Sequence, residues 1–266
     1  KEWYENGQIK TETNYSDDLE NSNYNKYSFY DDHFLNGKNT GWFENGHKSY
    51  ERYLVSGDMP YGNTQLVWYE NGQLKSEKEL KLPTSSVKQW YENGQLRFKG
   101  GTEFNFKKGH CIFWHENGQK ASEGNYHIDK VDGDLYTWHM TGHKASEEHY
   151  KKGIKEGMFT FWYNNSQKES QEHYKDGKKD GAWIKWYRNG NIKSEVHYSE
   201  DIQNGINRTF YENGQKEQES TLINGELNGV QVGWYLDGQK VFKENLVNGV
   251  SKGKFTNWHL NGHKLS

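Results

Sequence analysis

Trp90-Tyr91-Glu92-Asn93-Gly94-Gln95 decides the fold, because the chain keeps returning to it. It recurs as Trp68-Tyr69-Glu70-Asn71-Gly72-Gln73 and as Trp3-Tyr4-Glu5-Asn6-Gly7-Gln8. Looser copies place their turn residue at Gly46, Gly118, Gly142, Ser166, Gly190, Gly214, Gly238 and Gly262. From Gly94 onward each step is 24 residues; earlier steps are 39, 26 and 22. Four residues before each turn stands an aromatic column: Trp3, Trp42, Trp68, Trp90, Trp114, Trp138, Trp162, Trp186, Phe210, Trp234 and Trp258. Ten of the eleven tryptophans fall in it and only Trp183 lies outside, so the chain is a repeat array.

Residues 186–209 illustrate one unit. Trp186-Tyr187 enters a turn at Asn189-Gly190, a pair that tolerates positive φ and so suits a two-residue type I′ hairpin. Ile192 to Tyr198 then alternates in the period-2 manner of a strand. A second, looser turn follows, clearest as Lys175-Asp176-Gly177-Lys178-Lys179-Asp180-Gly181. Apolar residues do not recur at helical spacing. The expected fold is therefore all-β: an elongated, solenoid-like antiparallel β-meander ribbon of about eleven 24-residue hairpin repeats, forming one array over residues 1–266. At ~10 Å of advance per two-stranded copy, such a ribbon is on the order of 100 Å long.

Composition agrees with a thin, aromatic core. Only 31% of the chain is hydrophobic and mean hydropathy is −1.23, yet 16% is aromatic. Those large rings let few residues bury much area. A net charge of −3 advertises neither nucleic acid nor an anionic membrane as partner. No apolar run is long enough to insert into a bilayer. The single cysteine, Cys111, cannot form an internal disulfide, which suits a reducing compartment and equally many bacterial surface proteins; a cytoplasmic setting is expected, or a secreted or cell-surface one if an export signal precedes Lys1.

Two stretches break the period. Tyr15 to Phe34 carries Asp17, Asp18, Glu20, Asp31 and Asp32 against Lys26 alone, a net −4, interleaved with six aromatic residues. It reads as a binding loop, or alternatively as a degenerate repeat or cap. Leu80 to Val87, around Pro83, reads as a bend or bulge. The last copy stops within its second strand, so the array is expected to be trimmed, capped by a partner or frayed there.

The pattern Trp-Tyr-Glu-Asn-Gly-Gln at 90–95 and Tyr-Lys-Asp-Gly-Lys-Lys-Asp-Gly-Ala-Trp at 174–183 resembles the MORN repeat, and more closely the bacterial variant found in YwqK-type antitoxin proteins. The resemblance covers nearly the whole chain, with residues 15–35 fitting worst, and implies a twisted antiparallel ribbon. It also implies an antitoxin or immunity protein that neutralises a partner toxin by binding it. A weaker resemblance is to the aromatic hairpins of cell-wall and choline-binding modules.

Candidate site residues divide into three groups. The column Trp68, Trp90, Trp114, Trp138, Trp162, Trp186, Trp234 and Trp258 is read as structural core; stacking on a sugar, choline or single-stranded nucleic acid is the alternative. One residue nearer the turn, Tyr4, Phe43, Tyr69, Tyr91, His115, His139, Tyr163, Tyr187, Tyr211, Tyr235 and His259 face away from the Trp column and are read as partner-contacting, or else as a second buried face. Asp17, Asp18, Asp31 and Asp32 offer negative charge to a basic toxin. No catalytic residue, metal ligand or cofactor is expected. His149, His173 and His197 lie a repeat apart, too far to share an ion. Glu77, Glu123, Glu147 and Glu195 recur as a ladder rather than a unique catalytic pair. The expected function is non-enzymatic binding of another protein, a cognate toxin domain. The alternative is a secreted or surface scaffold, or adhesin, that binds host protein or glycan. Oligomeric state is left open.

Overall fold

The computed structural model describes residues 1–15, 37–54, 63–81 and 83–265. It divides into two compact units, Lys1–Lys130 and Val131–Ser266. Every regular element among the described residues is a strand.

In the first unit β1 (Glu2–Trp3), β2 (Ile9–Tyr15), β3 (Gly37–Trp42), β4 (Lys48–Leu54), β5 (Asn63–Trp68), β6 (Leu74–Leu80), β7 (Ser85–Trp90), β8 (Leu96–Glu103), β9 (Phe106–Trp114) and β10 (Lys120–His127) follow one another. Each pairs antiparallel with the next, an open meander.

The second unit holds β11 (Lys130–Trp138), β12 (Lys144–Lys151), β13 (Ile154–Lys155), β14 (Gly157–Trp162), β15 (Lys168–Lys175), β16 (Lys178–Lys179), β17 (Gly181–Trp186), β18 (Ile192–Ser199), β19 (Ile202–Gln203), β20 (Gly205–Phe210), β21 (Lys216–Ile223), β22 (Glu226–Leu227), β23 (Gly229–Trp234), β24 (Lys240–Val247), β25 (Val250–Ser251) and β26 (Thr256–Asn257). It too is an antiparallel meander. The two-residue strands open the return strand of each repeat. In β13, β16, β19 and β22 one residue, such as Glu156 or Asp180, separates the short strand from its longer continuation, which opens on a glycine of positive φ such as Gly157 or Gly181.

The two turns of the repeat are the reverse of the sequence expectation. At the Asn-Gly turn the amide of Gly94 donates to Tyr91 O (3.0 Å), and the amide of Tyr91 to Gln95 O (2.9 Å). Only Gly94 has positive φ, 81°; Asn93 does not. A type I′ turn needs positive φ at both central residues, so this is a three-residue loop, a type I turn closed by a glycine bulge. Asn93 serves through its side chain instead, Oδ1 accepting from the Gln95 amide at 2.9 Å. The two-residue turn lies at the other end of the hairpin. Asp176 and Gly177 have φ of 50° and 82° between paired Lys175 and Lys178, the type I′ geometry. Glu200-Asp201, Asn224-Gly225 and Asn248-Gly249 repeat it.

The buried side is also the reverse of the expected one. Cross-strand partners share a face, so Trp162/Lys168, Thr160/Gln171 and Met158/His173 lie on one side of β14–β15 and Phe161/Ser170, Phe159/Glu172 and Gly157/Tyr174 on the other. The Trp column is only half buried, and Trp3 is exposed. Thr160 and, in the first unit, Thr40 and Glu51 are buried on the tryptophan side, but Phe159, Tyr174, Ser146, Ser170, Leu222 and Leu246 in the second unit share the opposite face. Val87, Phe98 and Cys111 do so in the first, packed with Phe113 and Tyr126. A contributing reason is the lysine that stands six residues after Trp42, Trp114, Trp138, Trp162, Trp234 and Trp258, a place taken by Ile9, Leu74, Leu96 and Ile192 in other copies. Its stem covers the ring ahead, with Nζ 5.5 Å from the ring centre for Lys144 over Trp162 and for Lys168 over Trp186. A ring roofed by a flexible cation is shielded but not sealed.

The true core of the second unit is a ring ladder. Tyr150, Phe159, Tyr174, Trp183 and Tyr198 follow with centroid spacings of 5.3, 4.9, 5.2 and 5.3 Å. Trp183, the tryptophan outside the column, is a rung, and its Nε1 donates to His173 O (3.0 Å). Burial holds the Tyr174 phenol above its ordinary pKa, helped by neighbouring Glu172, which accepts its proton in a 3.0 Å hydrogen bond.

Candidate binding surface

The column next to the tryptophans stitches repeats together. Tyr91 Oη donates to Trp114 O (2.8 Å), Tyr163 to Trp186 O (2.9 Å), Tyr187 to Phe210 O (2.8 Å), Tyr211 to Trp234 O (2.8 Å) and Tyr235 to Trp258 O (3.2 Å). His139 occupies a tyrosine place and does the same, Nε2 lying 2.8 Å from Trp162 O, so the proton sits on that nitrogen. His115 stands at the same position of its repeat. The polar tips of these residues thus act within the chain, while their rings remain partly exposed.

A second seam runs through the turn asparagines. Asn71 Nδ2 donates to Glu92 O, Asn93 to Glu116 O and Asn189 to Glu212 O, at 3.1, 2.9 and 2.8 Å. Each asparagine therefore caps its own turn and grips the next.

The acidic residues Asp17, Asp18, Asp31 and Asp32 lie outside the described residues. Pro83 falls in the connection between β6 and β7. The glutamate ladder is built of ion pairs, cross-strand for Glu77 with Lys88 (3.1 Å), Glu123 with His110 (2.8 Å) and Glu195 with Arg208 (3.1 Å), and within one strand for Glu123 with Lys120 (2.6 Å) and Glu147 with Lys144 (3.4 Å). His149 bonds across its hairpin to Asp134, and His173 and His197 bond to Asp180 O and Ile206 O. No group of three His, Cys, Asp or Glu among the described residues is placed to hold a metal. Burial raises the pKa of the Cys111 thiol, which is wholly buried. No helix among the described residues is long and apolar enough to cross a membrane.

One surface went unread in the sequence. Around the type I′ turns of the second unit, Ile202, Ile206, Ile223, Val230, Val247 and Val250 are each at least 41% exposed. They sit on successive strands, β19 to β25, at the ends that flank those turns. Aliphatic side chains beside a hairpin tip were the signal, but the aromatic columns are far louder.

The MORN repeat variant family model matches residues 1–17, 62–81, 85–102, 107–127, 155–176, 179–200 and 203–224. No curated protein matches the sequence. Solved structures with some likeness include the crystal structures of TcdB2-TccC3-TEV (10% identity, TM-score 0.23, 83% of this chain) and TcdB2-TccC3 (10%, 0.20, 98%). This chain spans only 14% and 19% of theirs.

Proposed function

The chain belongs to the MORN repeat variant family, and on that premise we propose that it is a non-enzymatic protein-binding protein, an antitoxin or immunity protein that neutralises a toxin domain by direct contact. The supporting observation is the exposed aliphatic margin from Ile202 to Val250. Apolar side chains grouped at neighbouring strand ends favour a protein partner. The scaffold beneath them is already ordered by the two seams, so little conformational entropy is lost on binding. The acidic stretch with Asp17, Asp18, Asp31 and Asp32 adds a charge preference for a basic partner. The proposed setting is the cytoplasm, where Cys111 stays reduced.

The test is affinity capture from the source cell with the wild-type chain and with an Ile206→Glu/Val230→Glu variant. A single stoichiometric protein, held by the wild type and lost by the variant, is expected. It should arrest growth when produced alone and be harmless when produced with this chain. A captured protein that is harmless alone rejects the antitoxin reading; equal capture by the variant rejects the margin as the contact.

A further inference from the structure

We propose that the first unit carries an oxyanion site, selective for a phosphate-type group, centred on Lys99. An open concavity of about 330 Å³ is lined by Lys81, Thr84, Ser85, Ser86, Lys99 and His110. Each of these six polar side chains can donate a hydrogen bond and none carries a negative charge; Gly100, Gly101 and the apolar Ile112 complete the lining.

The arrangement arises where the period breaks. The connection after β6 is short and contains Pro83, and it delivers three successive hydroxyl residues to the start of β7. On β8 the repeat position filled by His149, His173 and His197 elsewhere is Gly101. A Cβ on Gly101 would stand 2.6 Å from Lys108 O and 3.1 Å from Thr84 Cγ2. The missing side chain therefore lets the backbones close up and leaves the depression above them.

Charge gives the second, independent observation. Lys99 is directly across the sheet from Lys88 on the same face. Like charges so placed repel. Lys88 is answered by Glu77 at 3.1 Å, Lys81 by Glu79 at 2.8 Å and His110 by Glu123 at 2.8 Å. Lys99 is exposed, has Ile112 as its other cross-strand neighbour, and has no ion-pair partner among the described residues. An anion seated in the concavity supplies the missing counter-charge. A phosphate or sulfate group, with several acceptor oxygens, matches a lining of ammonium, imidazole and hydroxyl donors. This site lies in the first unit and does not depend on the proposed antitoxin role.

The experiment is a titration of the full chain with inorganic phosphate, followed by amide NMR in chloride buffer. Saturable shifts confined to residues 84–86, 99–101 and 110 are expected, with sulfate competing. Lys99→Gln should weaken the apparent affinity at least tenfold while Lys99→Arg retains it. Without phosphate, Lys99→Gln should melt no lower than wild type, because it removes the Lys88 repulsion. Shifts spread over many lysines, shifts unaltered in Lys99→Gln, or no shifts would each overturn the proposal. A second arm uses vesicles containing phosphatidic acid. Co-sedimentation abolished by inorganic phosphate and by Lys99→Gln would assign the group to a lipid headgroup. Phosphate binding without co-sedimentation would assign it to a soluble monoester. Co-sedimentation insensitive to both would count against the site.

Discussion

Tyr187 Oη donates to the main-chain carbonyl of Phe210, 2.8 Å away, although Phe210 is the one member of the aromatic column that is not tryptophan. The bond reads a backbone position, not a side chain. Removing the hydroxyl with Tyr187→Phe should cost ~1 kcal/mol, the usual net value of such a bond. Urea denaturation would measure it. Tyr91→Phe and Tyr163→Phe should cost similar amounts, and a lossless series would show that water replaces the phenol freely.

Asn93 makes two bonds, and substitutions can separate them. Asn93→Asp keeps the acceptor for the Gln95 amide but loses the donor to Glu116 O. Asn93→Ala loses both. The alanine variant should therefore be the less stable of the two at neutral pH, by about 0.5–1.5 kcal/mol. Asp237 already follows the first pattern, its Oδ1 accepting from the Gln239 amide at 2.9 Å. Equal stability of the two variants would mean that the turn cap contributes nothing.

Ile128 holds φ at 50° in a type I′ position and is half exposed. A β-branched residue is strained there, whereas asparagine is suited to it. Ile128→Asn should raise stability by ~1 kcal/mol, read as a higher melting temperature. A fall would show that the isoleucine side chain contributes more by packing than its backbone loses.

Acid should weaken the first unit through Glu51. Burial opposes ionisation of this carboxylate, but hydrogen bonds from Lys48 and Lys38 outweigh it, so its pKa lies below the ordinary 4.5. A carboxylate with a lowered folded pKa stabilises above its unfolded pKa, and the benefit is lost as pH falls through the folded value. Stability should thus decline below about pH 4.5, and Glu51→Gln should flatten that decline while lowering stability at neutral pH. An unchanged pH profile in the variant would remove Glu51 from the explanation.

Gly100 touches the core of the first unit. A Cβ there would lie 2.6 Å from Cys111 Sγ and 2.9 Å from Phe98 Cζ. Gly100→Ala should cost ~1–3 kcal/mol by overpacking. Adding Cys111→Ala should recover part of it by withdrawing the sulfur. No recovery in the double variant would place the strain on Phe98 alone.

The sequence made the repeat and the all-strand character of the described residues legible, because a tryptophan every 24 residues and an Asn-Gly beside it are local signals. What it hid was long-range. Asn189-Gly190 has the composition of a type I′ turn, but turn type depends on how many residues the flanking strands leave unpaired. The tryptophans looked like the core because they are large. Their side of the sheet is covered in part by lysine stems from the preceding repeat, a relation spanning 18 residues, as from Lys144 to Trp162. The Tyr91 hydroxyl gave no sign that its acceptor was the carbonyl of Trp114. The exposed margin and the concavity at Lys99 depend on strand register, which no single stretch encodes.

The seams join a side chain of one copy to a main-chain carbonyl of the next, and every residue has such a carbonyl. A newly duplicated unit therefore meets a compatible neighbour on both sides, whatever substitutions that neighbour has gathered. Copy number can drift by whole units while the outward residues diversify, so the architecture is inherited separately from the surface it displays.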